Sequence, residues 1–286
     1  MLKNYFKTAL RNILRQKAST FINVSGLTLG ITCSLVLFLM VRHMSTFDAY
    51  HTNRDRIYRV VTESDGNSGR FYTPGVPSVL PEAFKEDFHE AEEVTFLSYR
   101  SGAMVTIPED GQMPRKFKED AGVVFGQPNF FKIFDRKILS GSAEKGLDDP
   151  GEAIISESLA KKYFPNEEAI GKVVKFDTVE YKITAVMEDH PLTTDFPFTL
   201  MLSYITIKKS GDASKWGSIW SDEQCYVLLK DQAAAQAIAS RMPAFVEKHL
   251  GSNNYEKQTW TLQPLSEIHF DDRYGTFTYS TAPKAT

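Results

Sequence analysis

The sequence predicts an α+β protein carried behind a single membrane-spanning helix. Three observations lead there. An uncharged run from Phe21 to Val41 is long enough to be a span, a basic amphipathic stretch precedes it, and beyond His43 strand-like segments alternate with short helices. The organisation that follows is a cytoplasmic amphipathic helix over residues 1–19, a transmembrane helix over 20–42 and an extracytoplasmic domain over 43–286.

In the first of these, Leu2, Tyr5, Phe6, Ala9, Leu10, Ile13 and Leu14 recur at helical spacing, which builds one apolar face. Lys3, Lys7, Arg11 and Arg15 repeat every fourth residue on the opposite side. Such a helix lies along the membrane surface with its apolar face inward. Its basic stripe is either a positive flank or a docking face for a cytoplasmic protein.

The span comes next. At about 1.5 Å per residue, the 21 residues from Phe21 to Val41 cover a hydrocarbon core of roughly 30 Å. A cleaved export signal fits poorly, because its basic region would be about twenty residues long, its apolar run exceeds the usual ~7–15, and no small-x-small site follows Val41. Five Lys/Arg residues precede the run and only Arg42 touches its far end, so the N-terminus is expected in the cytoplasm and residues from about 43 onward on the other side, which in a Gram-negative cell is the periplasmic side of the inner membrane. Gly26, Gly30 and Ser34 fall four apart on one face, a spacing that lets a second helix approach closely.

Beyond the span, Arg56–Glu63 alternates as a strand, Pro77–Phe88 reads as a turn and helix, and Glu93–Tyr99 as the next strand. Pro128–Phe134 is a short helix with proline near its first position. Glu152–Ile155 is strand-like, and Ser156 caps a helix through Tyr163 that Pro165 ends. Lys172–Phe176 and Glu180–Met187 form a hairpin, Gln224–Leu229 a strand, Asp231–Leu250 a helix interrupted or kinked at Pro243, and Lys257–Gln263 a closing strand.

Charge is divided unevenly. Residues 1–42 hold six basic side chains and no acid, whereas the remainder carries 27 basic and 36 acidic side chains, a balance of -9. The basic end suits an anionic membrane face or an acidic partner, and the acidic remainder argues against nucleic acid. Cys33 lies in the apolar run, so Cys225 has no disulfide partner in the soluble part. No phosphate-binding G-x-x-x-x-G-K-[ST] loop, H-E-x-x-H motif or EF-hand loop is present, so the chain reads as a non-enzyme that calls for no cofactor and no metal. Ser158 and Lys161 match the S-x-x-K of penicillin-recognising enzymes, but neither S-D-N nor K-T-G accompanies them, and a solvated Ser and Lys on a short helix is the simpler reading.

Several stretches taken together resemble the MacB/FtsX-type ABC transporter permease family, specifically the standalone permeases common in Bacteroidetes-like bacteria. These are LKNYFKTALRNILRQKASTFINVSGLTLGI, FDAYHTNRDRIYRV, FGQPNFFKIFDRKILSGS, ISESLAKKYFPNEEAIGK, YKITAVMED and LQPLSEIHF, in the expected order along nearly the whole chain. The resemblance implies a permease that works with a separate cytoplasmic ABC ATPase, as a dimer or pseudo-dimer and with a periplasmic adaptor in some members. ATP-driven closure of the ATPase would pass through the membrane helices to the moving extracytoplasmic domain, exporting or extracting a peptide, lipoprotein, antibiotic or similar substrate. The resemblance makes Lys3, Lys7, Arg11 and Arg15 the coupling helix and implies a porter-like part at about 50–110 and 220–265, with an inserted subdomain at 111–219. It also implies further spans, so the chain corresponds to the N-terminal portion of a longer permease. The rival reading is a single-pass anchored sensor or binding domain, with the span as a tether.

Overall fold

The computed structural model describes residues 2–66, 69–109, 111–119, 123–142, 145–208, 216–251, 254, 257–278 and 281. The chain divides into two compact units, Met1–Thr46 and Phe47–Thr286.

In the first unit α1 spans Leu2–Arg15 and α2 spans Lys17–Ser45. The sequence suggests one amphipathic segment up to residue 19, but the helix breaks at Gln16, whose φ/ψ of -106°/59° leaves the helical region, and the next helix starts at Lys17. The Thr20 hydroxyl steadies the corner by donating to the Ile13 carbonyl at 3.1 Å. Among the described residues, α2 is the one helix long and apolar enough to cross a membrane. Its far end is closed by Thr46, whose hydroxyl donates to the His43 carbonyl at 2.7 Å.

In the second unit the order is β1 (Ile57–Gly66), β2 (Gly69–Thr73), α3 (Leu80–Asp87), β3 (Ala91–Arg100), β4 (Ala103–Ile107), β5 (Arg115–Glu119), β6 (Val123–Gly126), α4 (Phe130–Ile133), β7 (Ile138–Gly141), β8 (Glu152–Ser156), α5 (Glu157–Tyr163), β9 (Val173–Phe176), β10 (Val179–Met187), β11 (Leu200–Ser203), α6 (Tyr204–Lys208), β12 (Glu223–Leu229), α7 (Gln232–His249), β13 (Thr259–Pro264) and α8 (Leu265–Ile268). All strands join one sheet along the path β13-β1-β12-β3-β6-β11-β8-β10-β9-β4-β5, with β2 paired to β1 and β7 to β10.

One end of that path has a simple logic. The strands β13, β1, β12 and β3 are antiparallel neighbours, and α3 and α7 each link two parallel strands of the set. The result is a split βαβ arrangement of the ferredoxin-like kind, with β4–β11 running between its two halves in the sequence. Strand alternation places Tyr58, Val60, Phe96 and Val227 on the face that α3 and α7 cover with Leu80, Phe84, Ile238, Met242 and Phe245. Ile57, Leu97, Tyr226 and Leu228 point the other way, into a second core with Phe130, Phe134, Phe196, Phe198 and Phe277. The helix over Gln232–His249 runs through Pro243 without interruption. Its start is set by Asp231, whose side chain accepts from the Ala234 N–H at 2.8 Å. Ser156 caps α5 as its sequence position suggests, accepting from the Leu159 N–H at 3.4 Å.

Candidate functional site

The residues singled out in the first unit are placed simply. Lys7, Arg11 and Arg15 are exposed on α1, while the side chain of Lys3 lies outside the described residues. Gly26, Gly30 and Ser34 are exposed on α2, and a β-carbon at either glycine would meet nothing within 4 Å.

The S-x-x-K pair is not arranged as a reacting pair. Ser158 donates to Asp189 Oδ1 at 2.6 Å, and Lys161 pairs with Glu157 one turn away. Ser158 N–H also donates to Asp189 Oδ1, at 3.1 Å, so the serine serves to tie the start of α5 to the end of β10. Among the described residues no three His, Cys, Asp or Glu side chains are grouped as metal ligands. Cys225 is buried and Cys33 exposed, and both thiols are free.

The most concentrated polar structure lies where the chain leaves α2. Phe47 stacks flat on the His269 imidazole, with ring centroids 3.5 Å apart and planes 15° from parallel. Asp48 has a φ of +50°, a left-handed conformation that aspartate tolerates better than most side chains. This turn aims its carboxylate inward and its N–H at the Thr193 carbonyl, 3.0 Å away. Asp48 Oδ1 accepts from the Thr194 hydroxyl at 2.5 Å and Oδ2 from the Asp195 N–H at 3.1 Å. Asp195 Oδ1 in turn sits 3.2 Å from His269 Nδ1 and accepts from Thr278 at 3.4 Å.

The cluster is fastened on two further sides. His51 Nδ1 accepts from the Asp135 N–H at 3.1 Å, and the Asp135 carboxylate accepts from the Thr52 N–H. Arg136 donates to the carbonyls of Glu188 (3.1 Å) and Phe198 (2.6 Å). Arg59, fully buried in β1, donates to Gln263 Oε1 at 2.6 Å, Gln224 Oε1 at 3.1 Å and the Gly275 carbonyl at 3.0 Å. Burial pulls its pKa below the ordinary value, and the charge of Asp195 is among those that oppose this.

Burial sets the protonation of this cluster. Asp48 is 3% exposed, and burial first, then the charge of Asp195, pushes its carboxyl up to about 7. Two buried carboxylates in mutual reach resist ionising together. His51 is driven the other way, down to about 4, because burial disfavours the imidazolium.

Sequence reading did not find this site, and nothing in residue spacing connects Asp48 with Asp195 across 147 positions. A signal was nevertheless present. Phe47, Asp48 and His51 lie in FDAYHTNRDRIYRV with Arg59, Asp135 and Arg136 in FGQPNFFKIFDRKILSGS, Glu188 and Asp189 in YKITAVMED, and His269 in LQPLSEIHF. Four of the six stretches that carry the family resemblance meet at this one cluster, with Ser158 of a fifth bound to Asp189 beside it, whereas Thr194 and Asp195 belong to none of them.

A span-length helix is followed at once by a ferredoxin-like α+β unit whose first residues are locked into a buried polar cluster. The chain belongs to the MacB-like periplasmic core domain family of ABC transporter permeases, whose model matches residues 20–245. Among solved structures, a domain assigned to a permease protein from Porphyromonas gingivalis superposes with a TM-score of 0.63 at 18% identity, over 75% of this chain and 91% of that one. The periplasmic region of MacB from Actinobacillus actinomycetemcomitans gives a TM-score of 0.50 at 17% identity, over 73% of this chain and 90% of that one. No curated protein matches the chain in sequence.

Proposed function

We propose that the chain is the mechanical N-terminal part of an ABC transporter permease, driven by a separate cytoplasmic ATPase and serving to export or extract a peptide, lipoprotein, antibiotic or similar substrate. The observation that carries this is the fastening of Phe47–His51. A membrane helix that merely tethers a domain needs only a loose linker, and here the residues directly after α2 are bound to side chains and backbone from three other stretches of the chain. A displacement of α2 would reach the domain as a force on that cluster.

In this reading α1 lies on the cytoplasmic face, and Lys3, Lys7, Arg11 and Arg15 meet the ATPase or the anionic membrane surface. Gly26, Gly30 and Ser34 pack against another span of a dimer or pseudo-dimer. The β1–β3 and β12–β13 halves with their helices form the porter-like part, at about 50–110 and 220–265, and residues 111–219 the inserted subdomain. A periplasmic adaptor would meet the domain on the far side.

The test is made on the protein purified from its native membrane, with the proteins recovered alongside it identified by mass spectrometry. Reversing Lys7, Arg11 and Arg15 to Glu is expected to abolish co-purification of the ATPase while leaving the soluble unit folded. Undiminished ATPase recovery with unchanged membrane orientation would remove the coupling role. Recovery of a signalling protein, with no ATPase in the wild-type preparation, would favour the single-pass sensor.

A further inference from the structure

Covalent geometry ties the loop after β10 to a bilayer crossed by α2. The apolar run ends at Val41, and α2 continues four residues further, to Ser45. At about 1.5 Å per residue that adds roughly 6 Å, close to the ~5–7 Å depth of one headgroup layer. Asp48 follows three residues later, and even a fully extended chain would carry it at most about 11 Å beyond the helix end. Its N–H donates to the Thr193 carbonyl at 3.0 Å. The loop around Thr193 is therefore held beside the point where the chain leaves the membrane, at whatever angle the helix meets the domain.

This loop turns an apolar side chain to solvent. Leu192 is 90% exposed, the most exposed large apolar side chain among the described residues of the second unit. Pro191 restricts the backbone on one side of it, and on the other Thr193 and Thr194 are bonded to Asp48 at 3.0 and 2.5 Å. The leucine is thus presented by a fixed loop, which lowers the ordering cost of using it. Tyr50, 37% exposed, reaches the same loop through its hydroxyl, 3.2 Å from that of Thr194. Phe47 and Phe270 are half-buried, and their rings lie 3.5 and 5.4 Å from the His269 imidazole. Three separate stretches, 47–50, 191–194 and 269–270, each bring a large apolar side chain to the chain's exit.

An exposed leucine on an ordinary soluble surface calls for no explanation. This one stands on a fixed loop within reach of lipid, beside a tyrosine, whose apolar ring and polar tip suit the headgroup layer. The span itself delivers the bilayer to the patch, as a linked second contact that needs no separate encounter. We infer that the His190–Thr193 loop seats the domain on the bilayer surface, with Leu192 inserted among the lipid headgroups and Tyr50, Phe47 and Phe270 beside it. The inference needs α2 to span the membrane and does not depend on an ATPase partner, so it can fail while the transport reading stands.

The experiment uses the full chain in nanodiscs of phosphatidylcholine and phosphatidylglycerol. Cys33→Ser removes the exposed thiol, and Cys225 is buried. Single spin labels are placed at Leu192→Cys and, for comparison, at Met113→Cys, an equally open apolar position at 88% exposure. The label at 192 should collide more with oxygen, which concentrates in lipid, than with a water-soluble nickel chelate, and the label at 113 should show the reverse. In the unlabelled wild type, a carbene-generating phosphatidylcholine should mark the loop as well as α2. Leu192→Asn should cut the loop adduct about tenfold and leave the α2 adduct unchanged. Unchanged melting curves will show that these surface variants fold. The inference falls if both labels prefer the nickel chelate, if both prefer oxygen, or if the loop adduct is absent or survives Leu192→Asn. It falls too if the label at 192 is shielded from both reagents, because a protein surface and not lipid would then cover the loop.

Discussion

The two faces of the β13-β1-β12-β3 sheet are closed by different chemistry. Under α3 and α7 the contacts are apolar: Phe88 and Trp260 lie 5.1 and 5.6 Å from the Phe245 ring, and Phe84 packs on Phe88 at 4.6 Å. On the opposite face the aromatics Phe134 and Phe196 share the space with Arg59, Asp48, Asp195, His51 and His269, all buried. The apolar face needs only shape and volume to hold together. The charged face holds together through a particular set of proton positions, and a structure of that kind responds to load and to pH in ways an apolar core does not. The difference locates apolar packing on one side of the sheet and buried, titratable polar contacts on the other.

The largest expected effect is on the apolar side. Phe245→Ala removes a ring that touches Phe84, Phe88, Trp216 and Trp260, and should cost about 3–5 kcal/mol in urea unfolding. The ring also packs on the His249 imidazole at 4.6 Å, whose pKa burial lowers, so the loss is best read near pH 8, where that imidazole is neutral in the folded and the unfolded chain alike. A cost below about 1 kcal/mol would mean that the helices close over the gap, and the contrast between the faces would weaken.

The charged face should show the reverse, a modest change at one pH and a large change of slope. The Asp48 carboxyl is raised to about 7 from an ordinary 3.8, so the fold holds this proton more tightly than the unfolded chain does. Its contribution is complete below the unfolded value and is lost as pH rises towards 7, by up to about 4 kcal/mol. His51 is lowered to about 4 from 6.5, so its contribution is present above 6.5 and is lost as pH falls towards 4. Between these limits the two slopes oppose each other and largely cancel in the native protein. Asp48→Asn keeps an acceptor for Thr194 but removes the titration, so the stability of the variant relative to wild type should rise by roughly 1.4 kcal/mol per pH unit from pH 4 to 7. His51→Asn should tilt the profile the opposite way. Parallel profiles for wild type and both variants would show that the cluster does not titrate with folding.

The apolar face was largely legible in the sequence and the charged face was not. Arg56–Glu63 and Glu93–Tyr99 were announced as strands and Asp231–Leu250 as the helix α7, because each is a long run whose residue types suit one element, although β1 and β3 are buried on both faces. Of the inserted strands, Glu152–Ser156, Val173–Phe176 and Val179–Met187 were also announced, but others carry no such signal. Leu200–Ser203 is buried on all four residues, so it reads as an unbroken apolar run, and Arg115–Glu119 is short and mostly polar. Neither they nor Gly69–Thr73 was expected as a strand. The buried cluster was hidden for another reason: Asp48, Asp135, Asp195 and His269 have ordinary compositions around them and meet only through the fold. Recurrence of their stretches in a family carried that information without saying what the residues do.

The smallest effect separates packing from helix initiation on the apolar side. Asp231 stands in extended backbone, with φ/ψ of -158° and 177°, and its carboxylate accepts from the Ala234 N–H at the first turn of α7. That bond satisfies one of the helix's free donors and places negative charge at the positive end of its dipole. Asp231→Ala should therefore cost about 1 kcal/mol, and Asp231→Asn, which keeps the hydrogen bond but loses the charge, about half of that. Both losses should leave the stability profile between pH 5 and 8 parallel to that of wild type, because this carboxylate sits outside the charged cluster. If Asp231→Ala cost as much as Phe245→Ala, α7 would hold its place through its first turn more than through the ring layer beneath it. Stability on that face would then depend on a polar contact after all, and the division between a packed face and a wired one would have to be redrawn around the end of β12.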